Sequence, residues 1–174
     1  WYLDSPINPE IRYESYIINH LITKVDSIYP TLNSPFSRAI TGLSMGGHGA
    51  LYLAMRHPEL FRYAGSMSGG VDIRPFQNNW GLPDILGNAT EFPHHWEDHS
   101  VLVLTEKVQT DQKFIIDCGL DDFFLDVNRS LNKLMNSKGI SHEYSERPGE
   151  HDWKYWRASV VEHFHFFSSH FGNN

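Results

Sequence analysis

The chain is poor in the features that would place it in several large classes. Its 174 residues contain a single cysteine, Cys118, which excludes an internal disulfide framework and leaves the redox compartment open. No apolar run approaches the roughly 20 residues that a membrane span needs. The start, Trp1-Tyr2-Leu3-Asp4, carries neither the basic nor the apolar region of a targeting peptide, and it is not a natural initiator, so earlier residues are expected to be missing. Lys and Arg number 14 against 21 Asp and Glu, a formal charge of −7, with no local basic cluster. Nucleic acid and anionic membrane surfaces are therefore poor partners. His94, His95 and His99 lie in an aperiodic stretch, and His163 and His165 lie two residues apart on different faces of one helix. None forms a metal set with Cys or carboxylate at ligand spacing, so no metal or other cofactor is expected. There is no internal repeat, no low-complexity tract, and no glycine before Gly42.

What is present reads as one soluble globular domain, cytoplasmic or exported, with 40% hydrophobic residues. Helical spacing of Ile11, Ile18, Leu21, Ile22, Val25 and Ile28 predicts a helix over Asn8 to Tyr29, capped by Asn8 with Pro9 in its first turn. A short strand is expected at Arg38 to Thr41, a helix through Ala50, Leu51, Leu53, Ala54 and Met55, and a strand from Phe61 to Met67. Residues 72–112, rich in Pro, Trp and His, have no clean period and read as an irregular connection or cap over a site. Order returns with the strand Lys113 to Cys118, then a helix through Phe124 to Met135 ended by Gly139. A strand at Ser141 to Arg147 and a helix over Trp153 to Phe171 complete the chain. Strands alternate with helices, the pattern of a mostly parallel α/β sheet with helices on both faces.

The chemistry centres on Gly42-Leu43-Ser44-Met45-Gly46. A serine between a strand and a helix, flanked by glycines, matches a nucleophile elbow, in which a strained backbone projects Oγ above the sheet. The helix that follows points its positive end at the same place. The rival reading is an ordinary strand-to-helix turn whose glycines only permit close packing. A serine hydroxyl needs a base, and the base needs a third group to hold its tautomer. The expected chain order in this fold is Ser, acid, His. Asp122 follows one later strand and His151 follows the next, so all three fall at the C-terminal edge of a parallel sheet. Asp121 and, more remotely, Asp72 are alternative acids. Asp152 suits a helix cap better. Cys118, in an apolar run, reads as a buried thiol. The oxyanion of an acyl-transfer intermediate needs two backbone donors. Met45 N–H is the first, while the second normally follows an early strand that the residues before Ser44 do not spell.

These residues carry a family resemblance. Gly42-Leu43-Ser44-Met45-Gly46-Gly47-His48-Gly49-Ala50-Leu51, Asp117-Cys118-Gly119-Leu120-Asp121-Asp122 and Pro148-Gly149-Glu150-His151-Asp152-Trp153 with Trp156 resemble the esterase D family of α/β-hydrolases. That group includes tributyrin-esterase-like enzymes, feruloyl and acetylxylan esterases, S-formylglutathione hydrolases and mycolyltransferases. The resemblance implies an α/β-hydrolase fold without a metal or cofactor, lacking its N-terminal strands, with residues 1–174 forming the C-terminal catalytic portion of a single domain. It implies Ser44 as nucleophile, His151 as general base and Asp122 as its acid. Leu120 stands where many members have a small polar residue. The implied function is a serine esterase acting on a small-molecule or carbohydrate-linked carboxylic ester, with a homo-oligomer compatible. An S-formylglutathione-type thioesterase, an acyltransferase and a noncatalytic binding module on a degenerate hydrolase are the alternatives. Trp80, Phe92 and Trp96 in the cap-like segment would suit a sugar or aryl group.

Overall fold

Residues 1–171 are described by a computed structural model, and Gly172 to Asn174, the end of the expected domain, lie outside them. Strands β1 (Ala39–Leu43), β2 (Tyr63–Met67), β3 (Lys113–Gly119) and β4 (His142–Arg147) form one sheet in that order. Every neighbouring pair is parallel. Parallel neighbours require crossovers, and these are supplied by helices. Helix α1 runs as three consecutive stretches, Tyr13–Ser15, the π-helical Tyr16–Leu21 and Ile22–Ile28. It precedes β1, and α2 (Met45–Arg56) joins β1 to β2. The short helices α3 (Leu82–Leu86), α4 (Pro93–Asp98) and α5 (Val101–Leu104) lie between β2 and β3. Helix α6 (Leu125–Ser137) links β3 to β4, and α7 (Trp153–His170) closes the chain.

Alternation along the strands divides the core between two faces. Ala64, Phe114 and Ile116 pack with Leu51, Leu53 and Met55 of α2 and with Leu131 and Met135 of α6. Tyr63 and Ile115 turn the other way, onto Phe166 and Phe167 of α7. This two-sided burial explains why Phe114-Ile115-Ile116 is a continuous apolar run and not an alternating one. Gly139, at φ 66°, ends α6 in the left-handed conformation that glycine adopts without penalty. No helix among the described residues is long and apolar enough to cross a membrane.

The first helix and the stretch 72–112 depart from the sequence expectation. The first helix begins at Tyr13 and not at Asn8, because Asn8 Oδ1 accepts from Glu10 N–H (3.0 Å) and Asp4 bridges to Arg12, holding residues 4–12 in a turn. Leu21, Val25 and Ile28 of α1 are 41%, 37% and 56% exposed, so the apolar stripe of that helix borders an open groove beside β1. That groove is lined by Leu21, Ile22, Val25, Ile40, Phe164 and Phe171. The stretch 72–112 is helical in short pieces and buries Leu82, Leu86, Trp96, Val101 and Leu104. Each piece is under two turns, too short for a hydrophobic period to register.

One buried charge ties α1 to α2. The Glu14 carboxylate accepts from Tyr52 Oη–H at 2.9 Å, Arg56 Nε–H at 2.8 Å and His57 Nε2 at 2.7 Å. Burial alone would raise its pKa, but donation by His57 and Arg56 outweighs burial and holds it down at about 2. The bond to Glu14 raises His57 in turn, against burial. Glu14 therefore contributes stability above its ordinary value near 4.5 that is lost as pH falls toward about 2. His57 contributes below its ordinary value near 6.5 and loses that contribution as pH rises through its raised folded value. Glu14→Gln is expected to destabilise the fold by about 1–3 kcal/mol. Thermal melts of both proteins should show the gap widest between pH 4.5 and 6.5 and narrowing on either side.

Candidate active site

Because all four strands run the same way, their C-terminal ends share one edge, where parallel sheets place ligands. Ser44 leaves β1 there with φ 54° and ψ −119°, a region that costs a non-glycine residue on the order of 1–3 kcal/mol. Its N–H donates to Met67 O at 2.9 Å, extending the β1–β2 pairing, while its carbonyl accepts from Gly47 (3.0 Å) and His48 (3.1 Å) to start α2. The turn is so tight that a Cβ on Gly42 would lie 2.5 Å from the Gly46 carbonyl carbon, and one on Gly47 2.6 Å from Ser66 Oγ. A Cβ on Gly46 would meet nothing closer than the Tyr2 ring at 4.0 Å. Of the two glycines flanking the serine in the sequence, only Gly42 is sterically demanded; the second demand falls on Gly47.

Asp122 sits in the turn after β3, its side chain fully buried, with Oδ1 accepting from Phe124 N–H at 2.8 Å. The β4–α7 loop brings His151 between acid and serine. Its Nδ1 is 2.8 Å from Asp122 Oδ2 and its Nε2 is 2.8 Å from Ser44 Oγ. A carboxylate only accepts, so Nδ1 carries the proton and Nε2 is left to accept from the serine hydroxyl. The result is a hydroxyl–imidazole–carboxylate chain of the kind used in acyl transfer. Met45 is the first residue of α2, so its N–H has no acceptor inside the helix, and it lines the same cleft as Ser44.

The alternative acids lie elsewhere. Asp121 is exposed and lines a separate hollow with Arg147 and Glu150. Asp72 is held by Arg74 Nε and Nη2, both at 2.8 Å. Asp152 caps α7, accepting from Tyr155 N–H at 2.9 Å. Cys118 is buried, and burial, with Asp122 and Asp117 near, pushes its thiol up to about 12, so it stays protonated and unreactive at neutral pH. Burial also drives His48 down to about 4. That ring is neutral and meets the His99 carbonyl through Nε2 at 2.8 Å.

Above the serine lies a cleft of about 310 Å³ lined by Trp1, Ser44, Met45, Trp80, Ile85, Phe123, Phe124 and His151. Phe123 and Trp156 flank the imidazole with centroids at 4.3 and 4.9 Å. Trp80 packs against Phe124 at 5.3 Å and itself takes a positive φ of 54°. Of the three aromatics singled out in the cap-like segment, Trp80 reaches the cleft. Trp96 is core at 2% exposure, and Phe92 stacks on His95 at 5.1 Å. Trp1, Phe123 and Phe124 were not anticipated as cleft residues; the one sequence signal for the phenylalanines is their position directly after Asp122.

Sheet, elbow and edge chemistry together define an α/β-hydrolase. Residues 7–167 match the Esterase family, described as "Putative esterase", and the chain belongs to that family. It is similar to an acetyl esterase of Caldicellulosiruptor saccharolyticus, 26% identical over 97% of this chain and 68% of that protein. An S-formylglutathione hydrolase of Paracoccus denitrificans is 27% identical over 97% of this chain and 60% of its own length. A solved ferulic acid esterase superposes with a TM-score of 0.83 at 26% identity, covering 98% of this chain and 65% of that one. The chain thus spans about two thirds of the length of these relatives.

The elbow sterics are separable by mutation. Gly42→Ala should cost about 1–3 kcal/mol through backbone displacement, whereas Gly46→Ala should stay within about 1 kcal/mol of the parent. Chemical denaturation of the two variants reads the difference directly.

Proposed function

We propose that the chain is the catalytic portion of a serine esterase that cleaves carboxylic esters through an acyl-enzyme on Ser44. The observation that carries this reading is the unbroken hydrogen-bonded chain from Ser44 through His151 to the buried Asp122. His151 Nε2 takes the proton from Ser44 Oγ as Oγ bonds to the ester carbonyl carbon. The Met45 N–H, at the positive end of α2, is placed to receive the developing oxyanion, one of the two donors such a hole uses. Collapse breaks the bond to the alcohol oxygen, which leaves with the proton from His151. Water then repeats the cycle: His151 takes its proton, the hydroxide oxygen bonds to the acyl carbon, and the acid departs as Ser44 recovers its proton.

Among the described residues the cleft lining has no Lys or Arg side chain and is chiefly aromatic. This favours a neutral ester with an apolar or aryl group at the reacting carbonyl, on a small or carbohydrate-linked alcohol.

The test uses the full-length protein. A fluorophosphonate should label Ser44 and no other serine, and Ser44→Ala or His151→Ala should lower kcat on the order of a million-fold, with Asp122→Asn nearer ten-thousand-fold. An unlabelled Ser44 in folded protein would overturn the esterase reading in favour of a binding module. In a substrate panel, aryl and short-chain apolar esters should exceed S-formylglutathione in kcat/KM; the reverse order would transfer the assignment to thioester hydrolysis.

A further inference from the structure

The face of the sheet beneath α7 holds a buried polar network that the proposed reaction does not touch. Asp117 of β3 has a side chain 1% exposed. Its Oδ2 accepts from Ser159 Oγ–H at 2.5 Å and His163 Nε2–H at 2.7 Å, and its Oδ1 pairs with Arg147 Nη2 at 3.2 Å. On the other side of the imidazole, His163 Nδ1 meets Thr41 Oγ1 at 2.7 Å. Nε2 must donate to the carboxylate, so in the neutral ring Nδ1 accepts from the threonine hydroxyl. The ring fits only because β2 has a glycine beneath it: a Cβ on Gly65 would lie 2.3 Å from His163 Nδ1 and 2.8 Å from Thr41 Oγ1. Glycine weakens a strand interior, so its presence there is explained by the close approach of the histidine.

The members of this network sit on the chain segments that end in the reactive groups. Thr41 lies on β1, which runs directly into Ser44, and Asp117 lies on β3, which leads to Asp122. Arg147 ends β4 ahead of the His151 loop, and Ser159 and His163 belong to the helix that follows that loop. Apolar side chains would hold these elements together without the desolvation that a buried carboxylate incurs. Directional bonds add something apolar packing does not, a single mutual register of the bonded segments.

We propose that Thr41, His163, Asp117 and Arg147 are positioning residues, a buried network that sets the three arms of the sheet edge so that Ser44, His151 and Asp122 meet at hydrogen-bonding distance. This rests on the esterase reading of that edge. Small displacements transmitted from such a site are costly, on the order of 10- to 100-fold in rate.

The experiment compares Thr41→Val, Thr41→Ser and His163→Gln with the parent, all as full-length protein. Thr41→Val and His163→Gln should lower kcat by about 10- to 100-fold while KM holds, and Thr41→Ser, which keeps the hydroxyl, should restore parental kcat. The downfield NMR resonance of the His151 Nδ1 proton, which reports the 2.8 Å contact with Asp122 Oδ2, should weaken and move upfield in Thr41→Val and His163→Gln. A fall in melting temperature with kcat and the His151 Nδ1 proton resonance unchanged would show a structural role alone and overturn the proposal. If His163→Gln does not fold, the Thr41 pair decides the outcome. That resonance reads the His151–Asp122 bond whether or not the protein hydrolyses esters. Failure of the parent to react with a fluorophosphonate therefore removes the esterase reading separately, while the resonance still tests the network.

Discussion

The hydrogen bond between Asp122 and His151 is the contact on which the site depends. A carboxylate with no exposure to water must find donors within the protein, and Asp122 has two, Phe124 N–H and the imidazole Nδ1. That bond fixes the imidazole tautomer and turns Nε2 toward Ser44. It can form only if the turn after β3 and the loop after β4 reach the same depth at the sheet edge. The parallel β3–β4 register, Gly119 opposite Arg147, sets this. The turn is further closed by Leu120 N–H to Arg147 O at 2.9 Å and Asp121 N–H to Gly149 O at 3.0 Å. The exposed Asp121 thus serves the site through its backbone while its side chain faces away.

Strain is concentrated around the same edge. Among the described residues the non-glycine ones with positive φ are Ser44, Ser68 and Trp80; Ser44 and Trp80 line the cleft, and Ser68 directly follows the neighbouring strand β2 with its N–H on Asp117 O at 2.7 Å. Such conformations persist only where surrounding packing over-determines them. Around Trp80 the packing is aromatic: its ring leans on Phe123 and Phe124, and those two lean on each other and on His151. The rings that give the cleft its apolar character therefore also hold the imidazole in place, so substrate preference and catalytic geometry draw on the same side chains.

Much of this arrangement was legible in the sequence where a local rule governs it. The Gly42-Leu43-Ser44 turn, the apolar run Phe114-Ile115-Ile116 of β3, the Gly139 stop and the Asp152 cap each follow from steric or hydrogen-bonding demands within a few residues. The start of α1 was not legible, because a turn stabilised by Asp4, Asn8 and Arg12 competes with an apolar period that continues through it. The exposure of Leu21, Val25 and Ile28 was not legible either, since periodicity reports amphipathicity and not what covers the apolar face. The short helices between β2 and β3 escaped because each is briefer than the period used to detect it.

By itself the sequence determined the alternation of strand and helix, the sharp turn that lifts Ser44 from the sheet, and the chain order of serine, carboxylate and histidine. These are properties of local sterics and hydrophobic period. Only the tertiary structure decided how Asp122 and His151 come to meet, which aromatics wall the cleft, and that Thr41, Asp117 and His163 share one buried network. Each of these depends on segments far apart in the chain meeting at a particular register, and register is set by the packing of the whole sheet against its helices.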